Sequence, residues 1–140
     1  MAPSTSSHAT NIGNGLSRFP YGQIWCCDFE FHHADGDLPV PVCMVAKELR
    51  SGQVIRLWQD ELHQSGRPPF DTGPDALFVA YYASAEIGCF LALGWRVPER
   101  VLDLFTEFRA ETNGLWVPHG NGLLGALNYF GLSAMGTEEK

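Results

Sequence analysis

Three strand-like runs crowd into the first half of this chain, and their spacing leaves little choice of fold. Gln23 to Phe31 reads QIWCCDFEF, Val40 to Leu49 reads VPVCMVAKEL, and Gln53 to Gln59 reads QVIRLWQ. Each is rich in β-branched and aromatic residues, which favour strands. Only Arg50-Ser51-Gly52 separates the second from the third, and a polar HHADGD loop follows the first. Parallel neighbours would need a crossover of about a dozen residues or more. The spacing therefore predicts an antiparallel meander. Pro41 has no N–H to give a ladder, so it must lie near the start or edge of its strand.

The second half has a different rhythm. Leu62 to Pro74 is rich in Pro and Gly and predicts a loop. Asp75 to Tyr82 (DALFVAYY) reads as a short buried strand. SAEIGCFLALGW follows, predicting a helix over Ala85–Leu93 with Ser84 as N-cap. After Pro98 come a short strand, RVLDL, and a helix, FTEFRAET, that stops at Asn113-Gly114. GNGLLGALNYFGL predicts a last helix with Leu123, Leu124, Leu127 and Phe130 on one side and Gly131 just past its end. The order βββ, βα, βα, α predicts an α/β fold, a mixed sheet with helices packed on it. That is the beginning of a ribonuclease H-like architecture. Met1 to Gly22, rich in Ser, Thr, Asn and Gly, reads as a flexible leader in which Phe19 and Tyr21 can dock, leaving 23–140 as the domain.

With 140 residues, 45% of them apolar, the chain can build one core and not two comfortable ones. Sixteen acids against nine bases give a net charge of -7, which argues against a general nucleic-acid coating protein. An enzyme that reaches phosphates through metal ions is not excluded, because such a site is itself acidic. Cys26, Cys27, Cys43 and Cys89 form no CxxC pair or zinc spacing and are expected as reduced, mostly buried thiols. No apolar run reaches 18 residues and no signal-peptide pattern opens the chain, so the expectation is a cytoplasmic protein with no membrane contact.

The strongest chemical feature is Asp28-Phe29-Glu30. Strand side chains alternate, so the two acids share one face of an otherwise apolar strand. Paired carboxylates repel and lose hydration unless cations neutralise them, and Mg²⁺ takes oxygen ligands of this kind. The plainer reading is a strand whose acidic face meets water. Glu86 sits at the start of an apolar helix, where a carboxylate also serves simply as favourable charge in a first turn. His32 continues the face of Asp28 and Glu30, either as a third ligand or as a solvent-facing loop residue. His33 and His63 read as surface residues, and His119 lies in a loop. Asp103 is either a fourth acid near a cleft or a strand-to-helix cap. Arg96, Arg100 and Arg109 are candidate phosphate contacts or solvated charges. Trp25, Trp58, Trp95 and Trp116 read as core or rim packing.

DFEF in the first strand, then a meander, then FVAYYASAEIGCFLALGW resembles the first two motifs of the DEDD 3′-5′ exonucleases. RVLDLFTEFRAETNG and GNGLLGALNYFGL resemble the exonuclease region of DNA polymerase I-like proteins of bacteria and phages. The resemblance covers roughly Gln23 to Leu132. It implies that Asp28 and Glu30 are the metal-ligating acids of motif one. In motif two it places Tyr82 where the family has Asn and Glu86 where it has Asp. The implied activity is two-metal hydrolysis, by Mg²⁺ or Mn²⁺, of single-stranded DNA from a 3′ end, with RNA a possible substrate. The family's third motif, a Tyr or His followed by an Asp, has no counterpart before Lys140. The resemblance therefore implies a C-terminally incomplete domain with little activity alone, and a polymerase domain or further chain downstream. Two rivals stand beside it: a non-catalytic binding module on the same fold, and a different metal-dependent hydrolase using Asp28, Glu30 and His32.

Overall fold

A computed structural model describes residues 15–132. Its elements run β1 (Gln23–His32), β2 (Val40–Glu48), β3 (Val54–Trp58), α1 (Gln59–Gln64), β4 (Ala76–Ala80), α2 (Ala83–Ala92), β5 (Val101–Asp103), α3 (Leu104–Glu111) and α4 (Leu123–Tyr129). The five strands form one sheet in the order β3-β2-β1-β4-β5. β1, β2 and β3 pair antiparallel, as the short connections require, while β4 joins β1 in parallel and β5 joins β4 in parallel. This is the mixed α/β sheet, meander first and strand-helix units after, of a ribonuclease H-like architecture. Pro41 lies opposite Phe31, next to a register shift between Glu30 and Phe31, where the ladder is already irregular.

Alternation along β1 builds the core. Trp25, Cys27 and Phe29 enter a cluster with Met44 and Ala46 of β2, Phe78 of β4, and Cys89 and Phe90 of α2. Phe29 meets Phe90 edge-on at 5.9 Å, and Phe90 meets Trp95 at 5.5 Å. On the opposite face Ile24, Leu77 and Val79 form a smaller cluster, with Leu16, Tyr21, Leu49 and Leu102 against it. β4 is buried at all five positions, which is why ALFVA reads as one apolar run. All four cysteines are free thiols; Cys27 and Cys89 are buried, Cys26 and Cys43 half-buried.

Several local expectations change. The stretch expected as a loop from Leu62 begins inside a helix, α1. Its one apolar residue, Leu62, is fully buried, and Glu61 reaches back to accept from the Trp58 N–H at 2.9 Å. One buried residue in six gives no periodicity to read. α2 starts at Ala83 rather than Ala85, and Ser84 does not cap it; Tyr82 precedes it in left-handed backbone, φ 70° and ψ 60°. In α4 the expected apolar side is not the buried one. Gly125 and Ala126 are buried, while Leu123, Leu124 and Phe130 are exposed. Gly125 faces backbone: a Cβ there would lie 2.1 Å from the Gly120 carbonyl oxygen. Trp25 and Trp95 are core residues as expected, but Trp58 is 67% exposed and Trp116 82%.

Within the stretch read as a leader, the first 14 residues lie outside the described ones. The remainder is held by Arg50, whose guanidinium donates to the carbonyls of Leu16, Phe19 and Tyr21. Among the described residues no helix is long and apolar enough to cross a membrane.

Candidate functional site

β1 is the strand where the sheet changes from antiparallel to parallel pairing. Its pairing with β4 runs from Gln23↔Ala76 to Cys26↔Val79 and stops there. The second half of β1 therefore projects past the carboxyl end of β4. In open α/β sheets this is where ligands commonly bind. Asp28 and Glu30 stand there, both exposed, on the face opposite Phe29. Partial loss of water around its carboxyl, then the charge of Glu30, pushes Asp28 above its ordinary range.

Glu86 is the unusual acid. It is 4% exposed on α2, among Cys89, Phe90 and the aromatic core. Its Oε2 accepts a hydrogen bond from the Phe29 backbone N–H at 2.9 Å. β4 has ended before this point, so the side chain supplies the acceptor that a neighbouring strand would otherwise give. Burial, reinforced by the charges of Asp28 and Glu30, pushes its carboxyl up to about 8 despite that hydrogen bond. Glu86 thus spans the two residues of the acidic pair by gripping the peptide between them. It comes from the α2 side, however, and ends at the backbone, whereas Asp28 and Glu30 project from the other face.

Asp103 takes the cap alternative. Its Oδ1 accepts from the Phe105 N–H at 3.0 Å, and its Oδ2 accepts from the Thr106 hydroxyl at 3.2 Å. The same Oδ1 accepts from the Tyr82 N–H at 3.0 Å, tying the start of α2 to the start of α3. Tyr82 packs its ring edge-on against Phe105 at 5.1 Å. Left-handed backbone is costly for Tyr and tolerated by Asn, the residue the resemblance expects here. His32 ends β1 and is exposed, as are His33, His63 and His119. Arg100 and Arg109 are exposed, and Arg96 pairs with Glu99.

Among the described residues no three His, Cys, Asp or Glu side chains stand together so as to hold a metal ion. Among the described residues, then, Asp28, Glu30 and Glu86 do not stand as a ligand group of three.

No family model matches the sequence, and no curated protein does. Among solved structures, the crystal structure of the Aedes aegypti Nibbler EXO domain superposes with a TM-score of 0.46 at 13% identity. The match covers 77% of this chain and 56% of that one. A likeness this weak says nothing of chemistry.

One buried acid carried no signal in the sequence. Glu48, at the end of β2, accepts from the Ile24 N–H at 2.8 Å through Oε1. Its Oε2 accepts from the Ser51 and Arg50 N–H groups at 2.6 and 3.1 Å. Burial works against its charge, but these backbone donors prevail and hold its carboxyl down to about 2. Glu48 fixes the β2–β3 turn and the entry of β1, so it is structural. Only the pairing of β1 with β2 shows that Ile24 lies beside it.

Proposed function

We propose that this chain carries the front of a 3′-5′ exonuclease-type site of the DNA polymerase I-like kind, working on the 3′ end of single-stranded DNA. The observation that supports the reading is the placement of Asp28 and Glu30. They share one face of β1 where it outruns β4, with Glu86 locking the peptide between them. A carboxylate pair fixed on a rigid strand suits a divalent cation, Mg²⁺ or Mn²⁺ in this reading, and through it a phosphodiester. Because the described carboxylates do not form a ligand group of three, the polypeptide by itself is expected to turn over slowly or not at all. The same observation favours a second reading, a nucleic-acid-binding module on this fold without chemistry.

The test is single-stranded DNA labelled at its 3′ end, incubated with the purified chain and Mg²⁺ or Mn²⁺. Weak label release that needs the metal and disappears in Asp28→Ala and Glu30→Ala supports the exonuclease. Binding without release supports the inactive module. Release that survives the double substitution refutes the assignment of these acids.

A further inference from the structure

A cavity lies at the opposite end of β1 from the acidic pair, about 16 Å along the strand from Glu30. It has a volume of ≈ 530 Å³, between the Arg67–Thr72 loop, the start of β1 and Arg96. That is within the usual range for small-molecule sites. We propose that it binds a small organic phosphate carrying a flat ring, of the size and kind of a mononucleotide.

Charge is the first reason. Arg67 and Arg96, two of only nine basic residues in a chain of net charge -7, both line this cavity. Arg67 pairs with no acid among the described residues. Arg96 pairs with Glu99, but both side chains are open to water, so the pair is weak and a phosphate can compete for its donors. Asp71 is the one lining acid, and its Oδ1 already accepts from the Gly73 N–H at 2.8 Å. Two arginines lining one cavity can supply the guanidinium donors that a phosphate monoester takes.

Shape and rigidity are the second. Half-buried Phe70, stacked on the buried Trp25 with ring centroids 5.1 Å apart and planes 21° from parallel, gives the cavity an apolar floor fixed to the core. The loop that carries Arg67 and Phe70 is tied down on both sides. Trp95 Nε1–H donates to the Ser65 carbonyl at 2.7 Å, and the Ser65 hydroxyl donates to the Arg67 carbonyl at 2.7 Å. At the far end the Glu99 N–H donates to the Thr72 carbonyl at 3.0 Å. Pro68 and Pro69 fix two further backbone angles between them. A site held in this way loses little entropy on binding. It does not depend on the exonuclease reading, because Asp28 and Glu30 take no part in it.

The experiment is isothermal titration of the whole chain, without divalent metal, with adenosine 5′-monophosphate, ribose 5-phosphate and adenosine in parallel. The nucleotide is expected to bind, and each fragment to bind about tenfold more weakly or less. Arg67→Ala and Arg96→Ala should each weaken nucleotide binding about tenfold or more. Both side chains are exposed, so the unfolding midpoint should stay unchanged and show that the variants are folded. Glu30→Ala should leave nucleotide binding untouched. The proposal is overturned if the nucleotide does not bind below about 1 mM, or if adenosine binds as well. It is equally overturned if binding survives both arginine variants or is lost in Glu30→Ala.

Discussion

Replacing Glu86 by Gln isolates the cost of holding an acid inside this core. The carboxyl is pushed up from 4.5 to about 8, first by burial and then by the charges of Asp28 and Glu30. An acid with a raised folded-state pKa keeps its proton in the fold where the unfolded chain has already released it. Stability is therefore full below about pH 4.5 and falls as pH rises toward 8, then levels off. Integrated over that window, the loss has an upper bound of about 5 kcal/mol. A loss of about 2 kcal/mol or more is expected once water and neighbouring protons adjust. Gln has the same shape and keeps a carbonyl oxygen to accept from the Phe29 N–H, but it has no charge to bury. Urea unfolding midpoints at about pH 5.5, 7 and 8.5, in buffer containing a chelator, measure the effect. Burial pushes the Cys27 and Cys89 thiols well above their ordinary range, so neither titrates in that window. The wild type should weaken steadily across the series, while Glu86→Gln should stay nearly level and be the more stable protein at the highest pH. Equal pH slopes for the two proteins would refute the reasoning.

Three further outcomes test the surrounding structure. Glu48→Ala leaves three backbone donors without their acceptor and should cost about 2–5 kcal/mol in chemical unfolding; in the wild type, acid titration should show this support being lost from about pH 4.5 down through about 2, the sign expected of a lowered carboxyl. Gly125→Ala drives a Cβ against the Gly120 and His119 carbonyls and should detach α4, read as faster amide exchange over Leu123–Tyr129 and a loss of about 2 kcal/mol or more. Asp103→Ala removes the acceptor for Tyr82, Phe105 and Thr106 and should cost about 1–2 kcal/mol in thermal unfolding, with Asp103→Asn recovering part of it.

The sequence determined most of the sheet. Short connections forced the meander, alternation in QIWCCDFEF put Asp28 and Glu30 on one face, and the apolar run in DALFVAYY read as a short buried strand. These are local rules of chain length and side-chain period, readable without partners. It could not show α1, which rests on one buried leucine and one reaching carboxylate, nor the buried side of α4, where Gly125 lies against a carbonyl and the leucines face outward. Contacts distant in sequence decided the acids. Glu86 lies 57 residues from the Phe29 N–H that it satisfies, and Glu48 lies 24 from that of Ile24. Composition marks both simply as acids. One became a buried group at odds with its charge and the other a carboxylate held ionised, because the energy of a charge is set by the dielectric and the donors around it, and the tertiary fold alone supplies those.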